Sequence, residues 1–99
     1  MTTQQHNPMH PGEFIRQGYL LPLDISAAQA SRNLGVNQAT LSRLLNGQSD
    51  VSTDMALRLE KAFGRSAESW LAMQDSFDLW NARRSVNLDA VKRIYRPAR

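Results

Sequence analysis

Glycine closes a short run of helix-compatible residues three times in this chain, at Gly35, Gly47 and Gly64, and a Ser or Asn soon afterwards is placed to open another, at Asn37, Ser52 and Ser66. Glycine reaches the left-handed conformation that ends a helix, and Ser or Asn accepts from the free N–H groups that begin one. A chain punctuated this way is expected to form a series of short helices. No stretch before residue 86 alternates apolar and polar residues as a strand does.

Five helices follow from the signals. The first starts at Pro11, whose fixed φ suits the first helical position, buries Phe14, Ile15 and Tyr19, and is stopped by Pro22. The second opens at Ser26, where Ser26-Ala27-Ala28-Gln29 has the spacing of a capping box, and ends at Gly35. Asn37 caps the third, with Val36 and Leu41 spaced as a hydrophobic staple, and Asn46-Gly47 ends it. The fourth runs from Ser52 or Thr53 to Phe63, with Met55, Leu59 and Ala62/Phe63 on one face. The fifth and longest begins at Ser66 and carries Trp70, Met73, Phe77, Trp80 and Arg84 at steps of three or four. Residues 86–99 fit a helix through Leu88, Val91 and Ile94, or a strand through Val86, Leu88 and Ala90.

At 99 residues with 41% hydrophobic content, the chain is expected to form one domain, residues 10–85, with a flexible arm at 1–9 and a basic tail at 86–99. It has no cysteine, so disulfides and thiolate metal sites are excluded and a reducing cytoplasm is expected. No apolar run approaches the roughly 20 residues that cross a bilayer, and the amino terminus lacks the pattern of a signal peptide. The charge of +3, from 12 basic and 9 acidic residues, is unevenly placed. Residues 1–82 hold six cations and eight anions, a net −2. Arg83, Arg84, Lys92, Arg93, Arg96 and Arg99 against Asp89 alone give the last seventeen residues +5. Phosphate contacts, a protein-binding segment and a solvated tail are all open readings of that cluster.

Two brief helices around a glycine turn, from Ser26 to Asn46, have the form of a helix-turn-helix. Gly35 supplies positive φ, small Ser31 permits a close crossing, and Leu41 and Leu44 lock the second helix onto the core. The opposite face then carries Asn37, Gln38, Ala39, Thr40, Ser42, Arg43 and Asn46. Gln suits adenine, Arg suits guanine, and Thr and Ala suit the thymine methyl. These residues are also ordinary on the surface of any helix, so the residues alone leave both readings open.

The stretch Leu34-Gly35-Val36-Asn37-Gln38-Ala39-Thr40-Leu41-Ser42-Arg43-Leu44-Leu45-Asn46-Gly47 resembles the XRE/Cro-type helix-turn-helix of phage repressors and their bacterial relatives. The flanking His10-Pro11-Gly12-Glu13, Leu21-Pro22-Leu23-Asp24, Thr53-Asp54-Met55-Ala56-Leu57-Arg58-Leu59, Trp70-Leu71-Ala72-Met73-Gln74 and Phe77-Asp78-Leu79-Trp80 narrow the resemblance to HigA-type antitoxins, over about residues 10–84. Ala27 stands where many XRE proteins carry a phosphate-touching glutamine, Ser31 where alanine is usual, and Ala67 where HigA-like chains often have proline. The resemblance implies an all-α, five-helix, lambda-repressor-like domain. It further implies a dimer that binds operator DNA, represses its own operon and neutralises a HigB-like, RelE-type endoribonuclease.

His6 and His10 flank Pro8 with no acidic or cysteine ligand nearby, so no metal site is expected, and no cofactor or catalytic motif is present. The aromatic stripe of the fifth helix is too wide for one small core. Phe77, Leu79 and Trp80, with Val86, are therefore expected to meet a second subunit, which would give two reading heads about 34 Å apart. A stand-alone repressor and a helical protein-interaction module that has lost DNA binding are the competing functions.

Overall fold

A side chain caps the amino end of every helix in the structure, a computed structural model that describes residues 7–98. His10 Nδ1 accepts from the Gly12 amide at 2.9 Å, Ser26 Oγ from Gln29 at 3.0 Å, and Asn37 Oδ1 from Ala39 at 2.7 Å. Ser52 Oγ accepts from Met55 at 3.1 Å, and Ser66 Oγ from Ser69 at 3.0 Å. Helix α1 comprises Pro11–Ile15, a π-helical turn Arg16–Leu20 and Leu21–Leu23. Then come α2 (Ala27–Leu34), α3 (Gln38–Leu45), α4 (Thr53–Phe63) and α5 (Ala67–Ser85). No strand occurs among the described residues. Gly35, Gly47 and Gly64 all have positive φ, of 72°, 74° and 89°.

Three expectations need correction. Pro22 does not stop α1; it sits in the last turn, and Asp24, left-handed at φ 56°, ends the helix. Proline lacks the N–H that would return to the Gly18 carbonyl, and its ring crowds that carbonyl. The wide π turn just before it relieves the crowding. The capping box at Ser26 is half formed, because the Gln29 side chain bonds Asn33 at 2.9 Å and Arg32 at 3.2 Å instead of reaching back. The tail is neither helix nor strand over residues 86–98; its one turn, at Asp89–Ala90, is closed by the Val91 amide donating to the Leu88 carbonyl at 2.9 Å, with Asn87 Oδ1 accepting from the Asp89 amide at 2.8 Å beside it.

The core is built of Ile15, Leu20, Leu34, Leu41, Leu44, Leu59 and Trp70, with Phe14, Tyr19, Val36 and Phe63 packed against it. Trp70, fully buried, takes the edges of Phe14 and the tilted ring of Tyr19 at 5.8 and 6.2 Å, while Tyr19 stacks on Phe63 at 4.3 Å. Such pairs add about 0.5–1.5 kcal/mol each beyond area burial. Gly12 marks the tightest crossing. A side chain there would fall on the Leu44 carbonyl oxygen, so the start of α1 lies directly against the end of α3.

Candidate nucleic-acid interface

The α2–turn–α3 unit is held from behind. Leu41, Leu44 and Leu45 are buried, and so are Ala30, Ser31 and Leu34 on the facing side of α2. Ser31 fits because its Oγ donates back to the Ala28 carbonyl at 2.9 Å, leaving no orphaned hydroxyl at the crossing. Gly35 makes the turn, with its amide donating to the Arg32 carbonyl at 3.2 Å and the Val36 amide to Ser31 at 3.0 Å.

With those leucines inward, the 3.6-residue period turns the other side of α3 outward. Asn37, Gln38, Ala39, Arg43 and Asn46 are exposed, and Thr40 and Ser42 are half-buried along the edges of the same strip. Asn37 spends its Oδ1 on the cap, which leaves its side-chain N–H groups free to donate. Arg43 has no carboxylate partner; among the described residues the one ion pair joins Arg58 to Asp54. The strip thus offers donors, acceptors and one unpaired cation on a surface one helix wide, matching the width of a DNA major groove.

Helix α5 disposes its residues differently. Phe77 is half-buried and meets the His10 ring edge-on at 4.9 Å, and Trp80 is half-buried with the Arg84 guanidinium 5.6 Å from its ring. Leu79 is 51% exposed and Val86, just past the helix end, 56%. Phe77 and Leu79 lie about 200° apart around the helix axis at 3.6 residues per turn. The four residues therefore do not share one face. Arg83, Arg84, Lys92, Arg93 and Arg96 are all exposed, while Arg99 lies outside the described residues.

Two residues near the interface escaped the sequence reading. His10, the first residue of the expected domain, is 7% exposed, caps α1, and lies against Gly47 at the end of α3 as well as Phe77. The His6 partner considered for a metal site lies outside the described residues. Gln74, 4% exposed, accepts from the Val51 amide at 2.8 Å and donates to Asp50 and Asp78 at 3.2 and 3.0 Å. It ties the loop leaving α3 to α5. Its signal was present in the sequence: Gln74 falls one turn after Trp70, on the stripe otherwise filled by apolar residues. Among the described residues no group of His, Cys, Asp or Glu could hold a metal ion, and no helix is long and apolar enough to cross a membrane.

The helix-turn-helix family model matches residues 16–70, more than half the chain. "Virulence-associated protein I" of Dichelobacter nodosus is 37% identical over 83 residues, covering 81% of this chain and 77% of that one. "Antitoxin HigA-1" of Vibrio cholerae is 30% identical over 90 residues, covering 91% and 85%. Among solved structures, antitoxin GraA in complex with its operator superposes with a TM-score of 0.84 at 35% identity, covering 92% of this chain and 95% of that chain. The five-helix order, the glycine turn and the exposed strip on α3 agree with these likenesses, and the chain belongs to the HigA-type antitoxins of the XRE/Cro helix-turn-helix family.

Proposed function

We propose that this chain is the antitoxin of a type II toxin–antitoxin pair, a cytoplasmic homodimer that holds a HigB-like, RelE-type mRNA endoribonuclease inactive and represses its own operon. The observation that carries the DNA-binding half is the exposed strip of α3, with Gln38 and Arg43 free on a helix whose other face is locked into the core. Gln38 and Arg43 face base edges, Thr40 lies beside the groove, and Asn37 and Asn46 sit nearer the phosphates, with Ala39 and Ser42 completing the contact surface. The dimer forms through Leu79, Trp80 and Val86, with Phe77 behind them, and sets the spacing of the two heads. Residues 10–85 form the reading domain between the arm at 1–9 and the basic tail at 86–99. The chain acts by binding alone, without catalysis or a cofactor. The toxin half rests on the HigA and GraA antitoxin likenesses.

Titration of DNA from upstream of the chain's own gene, and of a shuffled duplex, over a salt series tests the reading face. Gln38→Ala or Arg43→Ala should each weaken the upstream duplex by roughly 1–3 kcal/mol and relax preference at one base pair. Equal loss on both duplexes, with a salt slope reduced by about one, would reassign Arg43 to the backbone. Co-expression with the neighbouring reading frame should restore growth and give a co-purifying complex; without that complex, the stand-alone repressor reading takes over.

A further inference from the structure

The last carbonyls of a helix need partners from outside it. At the end of α2 the Ser31 and Arg32 carbonyls accept from the turn amides; past Asn33 come the carbonyls of Leu34 and of the capping Gly35. Both accept from a single atom far along the chain: Arg58 Nη1 lies 3.0 Å from the Leu34 oxygen and 3.1 Å from the Gly35 oxygen. The same guanidinium is held from its other side, where Nε donates to Asp54 Oδ1 at 2.6 Å one helical turn earlier. Two carbonyls of the turn are thus joined through one planar group to the first turn of α4. Helix α4 is itself fixed, since Met55, Ala56 and Leu59 are buried.

We infer that Arg58 is a positioning residue for DNA reading: by pinning the Leu34 and Gly35 carbonyls to α4 it fixes the turn, and so the angle at which Asn37 and the α3 strip are presented. The inference rests on the proposed DNA-binding function. Three features of the geometry carry it. The positive group sits at the negative end of the α2 dipole, where a cation is favoured. The rigid fork of arginine serves two carbonyls and a carboxylate at once, which a lysine ammonium on a flexible stem does not reproduce. The guanidinium also packs close to the turn: a Cβ on Gly35 would stand 3.1 Å from Nη1 and push it back by a few tenths of an ångström, while the φ of 72° is what calls for glycine there. The three-residue link Gly35–Asn37 between the helices is a lever, and a small rotation at Gly35 displaces side chains one or two turns along α3 by more than a hydrogen bond tolerates.

The test uses the full chain, the upstream duplex and a shuffled duplex of equal length. Arg58→Met should remain folded, lose roughly tenfold of its preference for the upstream duplex, keep its salt slope, and show faster amide exchange at Val36. Arg58→Lys, which keeps the charge, should recover only part of the preference. Should Arg58→Met unfold, Asp54→Asn releases the other side of the guanidinium and is read in the same way. Equal weakening on both duplexes with a salt slope reduced by about one would make Arg58 a phosphate contact and overturn the inference, as would unchanged preference and unchanged Val36 exchange. If the unsubstituted chain does not distinguish the duplexes, the DNA-reading proposal fails, and Val36 exchange alone then decides whether Arg58 holds the turn.

Discussion

The two halves of α5 carry large side chains at the same spacing and are treated differently. In the first half Ala67, Trp70 and Gln74 are buried, against α4 and the start of α1. In the second half the same stripe continues through Phe77 and Trp80, but both are only half-buried, and Leu79 and Val86 stand largely in solvent. The cause is length. Nineteen helical residues extend about 28 Å, farther than the four shorter helices reach, and the described residues together measure 53 × 29 × 25 Å. A spacing of three and four tells which residues share a face; what lies opposite that face decides whether they are core.

Breaking the buried half should have the largest effect. Trp70→Ala removes the ring around which Phe14 and Tyr19 pack and should cost about 3–5 kcal/mol, read from urea unfolding at fixed protein concentration; a loss below about 1 kcal/mol would mean that the aromatic cluster is not the centre of the core. Next is Gly12→Ala, which puts a methyl group onto the Leu44 carbonyl. Prying α1 from α3 should cost about 3 kcal/mol and broaden the amide signals at the end of α3. Gln74→Leu keeps the volume but leaves the buried Val51 amide without its acceptor, at about 1–3 kcal/mol. The exposed half should give the smallest change in stability. Leu79→Ser with Val86→Ser should stay within about 0.5 kcal/mol for the separated monomer, yet shift sedimentation from dimer to monomer. An unchanged dimer would move the subunit interface away from this end of α5.

Much of the fold was legible because helix boundaries are local. Ser26, Asn37, Ser52 and Ser66 each bond an amide two or three residues on, and Gly35 and Gly64 act through their own φ. Of the features that escaped, two are local and two act at a distance. The His10 cap was obscured by the polar residues before it, and the π turn by the ordinary rule that proline ends a helix. Gln74 and Arg58 work through partners 23 and 24 residues away. For the candidate interface, periodicity gave the outward face of α3, since Leu41 and Leu44 had to be inside. It gave no means to see how the turn that aims that face is fastened.

The self-capped helices also bear on how fast the chain finds its fold. A helix that starts and stops on its own residues has its ends specified before any neighbour arrives, and helix–coil relaxation takes well under about a microsecond to a microsecond. Folds dominated by such near-neighbour contacts reach the native state in roughly microseconds to milliseconds. The joining of Gly12 to Leu44 is of another kind, because it must close a long loop of chain before it gains anything. The natural order is therefore helices first and the α1–α3 crossing late, so α3 takes its final seat only as the body closes around it.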